Sequence, residues 1–294
     1  MIQQMKYDYY PAIFKSTDFA SNKTQSHYLN CIKTYYISLI IGVGLGVYGI
    51  TTPTAAIIAV FLFLIGISIT ILNHYKRFEN KWYNYRAIAE SIKSSTWKFM
   101  MRANPFESND KYEIVHRDFL NLVHGVITEH KKIAEDLATN YGTSEQITQQ
   151  MKEIRLYDLE TRKEIYRKER IDEQRIWYSI NTIKNKKKGN CWFWVLIALH
   201  GIAILLLLFR IEYPGFQYWP SEIFIIAGSG ALTWIQVKKF RELASAYGLA
   251  AHEIGTIRGE LEYVKSEEDF AHFVNNAENA FSREHTQWIS RKDQ

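Results

Sequence analysis

The chain has 294 residues, 47% of them hydrophobic and 23% charged, with a formal net charge of +5 and a mean hydropathy of −0.23, averages that would suit a large soluble protein. Those averages conceal a segregation, because the apolar residues crowd into Tyr35–Leu72 and Cys191–Val237 and the rest of the chain is polar. The two cysteines, Cys31 and Cys191, lie far apart without clustered histidines, which excludes a disulfide framework and a cysteine-based zinc site, and only five prolines interrupt the potential for helix.

The N-terminus opens on Tyr7, Asp8, Tyr9 and Tyr10 before any apolar run, unlike a secretory signal. Tyr35–Ile50 and Thr54–Leu72 each approach the roughly 20 residues that an apolar helix needs to cross the hydrocarbon core. Thr51-Thr52-Pro53 joins them; Thr52 can cap and Pro53 can occupy the first turn of the second helix, so the pair reads as a hairpin. Gly42, Gly44, Gly46 and Gly49 give the first span a small-residue face, suited to close packing inside the protein's own bundle or to contact between subunits. Beyond the hairpin, Phe78, Trp82, Tyr85, Ala89, Ile92, Thr96 and Phe99 recur at helical spacing, which predicts a helix continuing out of the second span until Asn104-Pro105 stops it. A second helix is predicted over roughly Tyr112–Asn140, ending at Gly142. A third is predicted from Thr143, with Gln146 as capping-box partner, to about Lys184.

Cys191–Phe209 and Ser221–Val237 repeat the hairpin, with Glu222 at one end only. Their linker, Arg210–Pro220, contains Pro214-Gly215 and the aromatics Tyr213, Phe216, Tyr218 and Trp219, as expected at headgroup level. His200 falls in the middle of the third span, and Ser229, Thr233 and Gln236 share related faces of the fourth. Polar groups in lipid face the bundle or a water-filled path, so these four are candidates for a pore lining or for structural hydrogen bonds between helices. Helix then continues over Lys238–Val264, and Ser266 begins a capping box with Asp269 for a last helix whose stripe is Phe270, Phe273, Ala277, Phe281 and Trp288. No strand-like alternation occurs. The expected fold is all-α: an integral membrane protein with two transmembrane hairpins, four spans and a cytoplasmic helical bundle.

Charge orients the spans. Lys33, Lys76, Arg77, Lys81, the lysines of 184–188, Lys238, Lys239 and Arg241 all fall on the starting side, and Arg210 alone on the other, which places both termini and the soluble helices in the cytoplasm. The Lys186–Lys188 run abuts a span and points to anionic lipid rather than nucleic acid. There is no Gly-rich phosphate loop, nucleophile elbow or paired acidic site, so no enzyme, catalytic residue or cofactor is expected. Glu284 and His285 are adjacent with no second His four residues on, so no helical zinc site is expected either. His285 and Trp288 share a face and read as part of a docking motif. Leu29-Asn30-Cys31-Ile32-Lys33 and Ile180-Asn181-Thr182-Ile183-Lys184 precede the two hairpins, hinting at duplication and at units over 1–160 and 161–294.

Phe273-Val274, Ala277-Glu278 and Phe281-Ser282-Arg283-Glu284-His285-Thr286-Gln287-Trp288, followed by Arg291-Lys292, resemble the closing signature of the SLATT family, two-transmembrane proteins of bacterial conflict systems. Asp172-Glu173-Gln174-Arg175-Ile176-Trp177-Tyr178 resembles the helix leading into that family's hairpin. Arg86-Ala87-Ile88-Ala89-Glu90-Ser91-Ile92-Lys93, Trp97-Lys98-Phe99 and Arg102-Ala103-Asn104-Pro105-Phe106 resemble a different SLATT subfamily. The resemblance implies a homo-oligomeric effector that permeabilises the bacterial inner membrane when a nucleotide-generating or nucleotide-sensing partner detects phage. We read Phe281, Ser282, Arg283, Glu284, His285 and Trp288 as docking the last helix on the helical bundle or on another subunit, with direct ligand sensing as the alternative. The alternative function is a non-conducting membrane-anchored scaffold for cytoplasmic partners.

Overall fold

The first predicted span belongs to a longer helix, α1 (Ala12–Tyr48), which also takes in residues 12–34, where no apolar run announces one. In this computed structural model, which describes residues 5–48, 52–107, 112–129, 144–216 and 218–290, the chain continues through α2 (Pro53–Lys76), α3 (Phe78–Met100), α4 (Tyr112–Glu129), α5 (Gln149–Leu156) and α6 (Leu159–Tyr166). A π-helical segment, Arg167–Asp172, leads into α7 (Glu173–Glu212), and α8 (Ser221–Lys238), α9 (Phe240–Glu260) and α10 (Glu267–Ser290) complete the order. No strand occurs among the described residues.

Local chemistry explains most boundaries and corrects several expectations. Pro53 opens α2 behind an extended Thr52, whose carbonyl accepts from Ala55 at 3.0 Å, although the Thr52 side chain makes no capping bond. The helix predicted to run on from the second span is broken: Arg77 adopts φ 47°, and its N–H bonds the carbonyl of Asn73 before α3 starts. Lys239 breaks the second hairpin from α9 in the same way, at φ 46° with its N–H on Ile235. The two halves thus share a left-handed basic residue at the same structural position, a stronger sign of duplication than five matching letters. Arg102, at φ 57°, closes α3 two residues before Asn104-Pro105, with Ala103 N–H reaching back to the Lys98 carbonyl at 2.9 Å.

The predicted third helix starts later than expected and is segmented. Thr148 caps α5 through Met151 N–H, while the Gln146 side chain accepts instead from Ile13 N–H at 3.1 Å. Asp158 then caps α6 through Thr161. Residues 130–143, including the predicted end at Gly142 and start at Thr143, lie outside the described residues. The Ser266–Asp269 box is reciprocal, Asp269 N–H donating to Ser266 Oγ at 3.1 Å and Ser266 N–H to Asp269 Oδ2 at 3.2 Å.

The chain divides into two compact units: Met1–Thr24, Glu79–Ile180 and Ala246–Gln294 in unit 1, and Gln25–Phe78 and Asn181–Ser245 in unit 2. Unit 1 has a conventional apolar core. Phe99, Phe106 and Phe119 form a triad with centroids 5.1–5.8 Å apart, and Tyr166 meets Trp97 at 5.7 Å and Phe270 at 6.2 Å edge-on. Unit 2 is the reverse, with large apolar side chains such as Phe61, Trp194 and Leu208 facing outward. Three helical runs, Ala12–Val47, Pro53–Met100 and Leu159–Glu212, are long and apolar enough to cross a membrane. Only 11%, 11% and 6% of their apolar windows are buried in the chain, so they are not core helices of a soluble fold. The expected fourth span, α8, carries Glu222 and Lys238 within its 18 residues and is not among those three.

Candidate functional site

In unit 2 the α1–α2 hairpin closes on small residues. A Cβ on the buried Gly42 would meet the Phe63 ring at 2.9 Å, and one on Gly66 would reach Tyr35 and Ser38 at 3.6 Å. Gly42 is therefore used inside the chain. A Cβ on Gly44 would stand 3.4 Å from Ile223 of α8, one on Gly46 would meet nothing within 4 Å, and Gly49 lies outside the described residues.

The predicted polar residues of the second hairpin separate into two sets. The His200 ring lies against Gly228, where a Cβ would stand 2.7 Å from it, and its Nδ1 is 3.1 Å from the Leu196 carbonyl. On α8 the Thr233 hydroxyl donates to the Ser229 carbonyl at 3.1 Å and so accepts from Tyr36 of α1, at 2.8 Å; Tyr36 also covers Gly230. Ser229 and Gln236 are exposed and share a stripe of α8 with exposed Ile225 and Leu232. Gly228 and Gly230 point to opposite sides of α8, so His200 and Thr233 are not brought together.

Unit 1 contains an ionic arrangement that the sequence reading misses. Glu278 on α10 is fully buried and accepts from Arg170 Nε at 2.9 Å and Nη2 at 2.7 Å, and from the Tyr166 hydroxyl at 2.9 Å. Phe281, the first residue of the predicted docking motif, places its ring 4.9 Å from the Arg170 guanidinium carbon. Burial opposes the charge on Arg170, but the Glu278 carboxylate outweighs it and raises the guanidinium pKa, and burial pushes the Tyr166 phenol well up. The side chains of Ser282, Arg283, Glu284, His285 and Trp288 lie outside the described residues.

Two further buried arginines tie α5 and α6 to the residues around the end of α3. Arg155 donates to the Phe99 and Phe106 carbonyls at 2.5 and 2.8 Å, and Arg162 to the Met101 carbonyl at 2.9 Å and to Glu267. Phe99 lies in the last turn of α3, and Met101 and Phe106 in the segment that follows it, so the two arginines hold the chain where it leaves that helix. A readable signal exists for one member: Glu278 interrupts the apolar stripe Phe270, Val274, Ala277, Phe281, and a charge inside a stripe needs a buried partner. A cleft of about 380 Å³ opens beside Lys163, Glu164, Arg167, Arg258 and Glu262. Its bases are already engaged, Arg167 with Glu164 at 2.7 Å and Arg258 with Asp172 at 2.6 Å.

No curated protein and no solved structure matches the chain. Two family descriptions do: SMODS and SLOG-associating 2TM effector domain 3 over residues 11–163, and SMODS and SLOG-associating 2TM effector domain 1 over residues 166–288. The chain therefore belongs to the SLATT family and carries two different domains of it in tandem.

Proposed function

We propose that this protein is a membrane effector of a bacterial antiphage system, whose copies assemble in the inner membrane and permeabilise it when a nucleotide-linked partner signals infection. In this reading α1, α2, α7 and α8 supply four spans. Glu222 and Lys238 sit at the two ends of α8, where headgroups and water can reach them, and the basic flanks hold both termini and unit 1 on the cytoplasmic side.

The observation that carries the reading is the outer stripe of α8, where Ser229 and Gln236 are exposed among apolar neighbours. Polar side chains are disfavoured against lipid and suit a water-filled path. One copy offers too few helices to enclose a wide channel, so several copies would line it together. The test is dye release from liposomes holding the purified protein with its cognate activating partner. Release that Gln236→Leu abolishes supports the reading, and absence of any release or current with the activator present sinks it.

A second reading, a non-conducting scaffold, is favoured by exposed apolar side chains on unit 1, among them Leu156, Leu249 and Tyr263. Overexpression separates the two, because an effector depolarises cells and a scaffold does not.

A further inference from the structure

The charge of unit 2 is unevenly placed. At one end Lys33, Lys76 and Arg77, four lysines within 184–188, and Lys238, Lys239 and Arg241 make ten basic side chains against one carboxylate, Glu242, whereas Arg210, Glu212 and Glu222 lie at the other end. Residues 25–78 contain no Asp or Glu at all. The antiparallel pairing of Gly42 with Phe63, Tyr36 with Thr233 and His200 with Gly228 gathers these bases at one end of the unit. That excess cannot be neutralised from within.

Two of the bases, from two different helices, converge on one indole. Lys33 Nζ of α1 stands 5.4 Å from the centroid of the Trp234 ring, and Lys238 Nζ of α8 stands 5.8 Å from it. Lys188 of α7 comes in beside them, since a Cβ on the adjacent Gly189 would stand 3.2 Å from Phe240, two residues on from Lys238, and the charges of Lys188 and Lys33 both act on Lys238. Trp192 of α7 backs the group, its ring 6.2 Å from that of Trp234. Among the described residues no carboxylate pairs with Lys33, Lys188 or Lys238. Cation–π contact with Trp234 orients the ammonium groups but leaves their charge uncompensated.

We propose that Lys33 and Lys238, held at Trp234, together with Lys188 beside Lys238 bind the headgroup of an anionic phospholipid, and that a headgroup with two phosphates, as in diphosphatidylglycerol, fills the site better than one with a single phosphate. Three ammonium groups exceed the charge of one phosphodiester. Basic pockets between spans are suited to lipids of higher charge, and tryptophan belongs at this depth. A lipid rather than free phosphate is favoured because exposed Val195 and Ile202 continue along the Lys188 face of α7, an apolar track for acyl chains. The site rests on the membrane reading of unit 2 but not on pore formation.

The test is native mass spectrometry of the full-length protein released from micelles doped with diphosphatidylglycerol, phosphatidylglycerol or phosphatidylcholine, with inorganic phosphate in a separate arm. The expected result is retention of diphosphatidylglycerol at about tenfold lower lipid concentration than phosphatidylglycerol. Lys33→Gln/Lys238→Gln should abolish that preference, whereas Lys76→Gln/Arg77→Gln, which removes the same charge at the end of α2, should preserve it. If the first variant fails to fold, Lys188→Gln alone should reduce retention roughly threefold. Equal loss in both double variants would mean only diffuse charge, and displacement of the lipid by millimolar phosphate would mean a free-anion site; either overturns the proposal. Loss of retention with dye release intact leaves pore formation standing, and the converse leaves the lipid site standing.

Discussion

Replacing Glu278 with Gln keeps the shape of the side chain and removes only its charge, leaving Arg170 charged in a site where its own side chain is 3% exposed. Arg170 Nη1 already lacks a partner there among the described residues, so no other group can absorb the loss. Breaking a buried pair from one side costs about 3–5 kcal/mol. The Tyr166 hydroxyl, which can still donate to the new amide oxygen, argues for the lower figure. At about 3 kcal/mol, local opening of α10 should become roughly a hundredfold more frequent. Hydrogen exchange of the 267–281 amides, read by mass spectrometry on protein in detergent, measures that opening directly. Arg170→Met/Glu278→Leu, which removes both charges and keeps the volume, should lie much closer to wild type than Glu278→Gln. Protection within threefold of wild type for Glu278→Gln, or a double variant as damaged as the two singles combined, would refute the reasoning.

Gly42→Leu should lower the yield of folded protein by driving α1 off Phe63, whereas Gly46→Leu should fold normally, so any drop in cross-linked oligomer in Gly46→Leu marks a contact between subunits. Tyr36→Phe should cost about 0.6 kcal/mol in unfolding from detergent, the usual worth of one hydrogen bond between spans, with the Thr233 hydroxyl keeping its bond to Ser229. Burial, followed by the charges of Lys152 and Arg155, holds the His116 imidazole below its ordinary pKa of 6.5. The unfolded chain therefore takes up protons first, and stability that is full above pH 6.5 should fall as the pH drops below it, a slope that His116→Gln removes in thermal melts. Tags at either terminus or within 108–111 should report cytoplasmic and a tag at Pro214-Gly215 periplasmic; a cytoplasmic signal from Pro214-Gly215 would mean that the second pair is not a spanning hairpin.

The hairpins are legible because lipid-facing helices need unbroken apolar runs, and the Ser266–Asp269 box because it is local. Residues 12–34 of α1 are not, since their buried face includes Thr17 and Ser21, whose hydroxyls bond nearby carbonyls and whose hydropathy carries no period. Arg77 and Lys239 hide the breaks they make because neither is the glycine that usually signals a left-handed residue. The arginine ties are invisible for a different reason. Arg155, Arg162 and Arg170 lie in a charged stretch that reads as a solvated face, and the Arg170 partner stands 108 residues away in the chain. For the membrane unit, the sequence names Gly42 and Gly46 together, but only packing distinguishes the one already filled by Phe63 from the one left open.

The π-helical turn at Arg167–Asp172 sets the phase of the part of α7 that belongs to unit 1. Its i→i+5 bonding inserts one residue beyond regular α winding, so the buried positions after Arg162, Ile165 and Tyr166 are Arg170 and Ile171, while Glu169 turns aside to accept from Met5 N–H at 2.6 Å. Regular winding would put Glu169 where Arg170 now faces Glu278, setting two carboxylates against each other. It would also turn α7 by about 100° around its own axis, the angle of one residue. Within unit 1 the segment works as a screw thread at the head of α7: gain or loss of one residue in this turn re-aims the helix faces that follow it, as far as Ile180, without bending them.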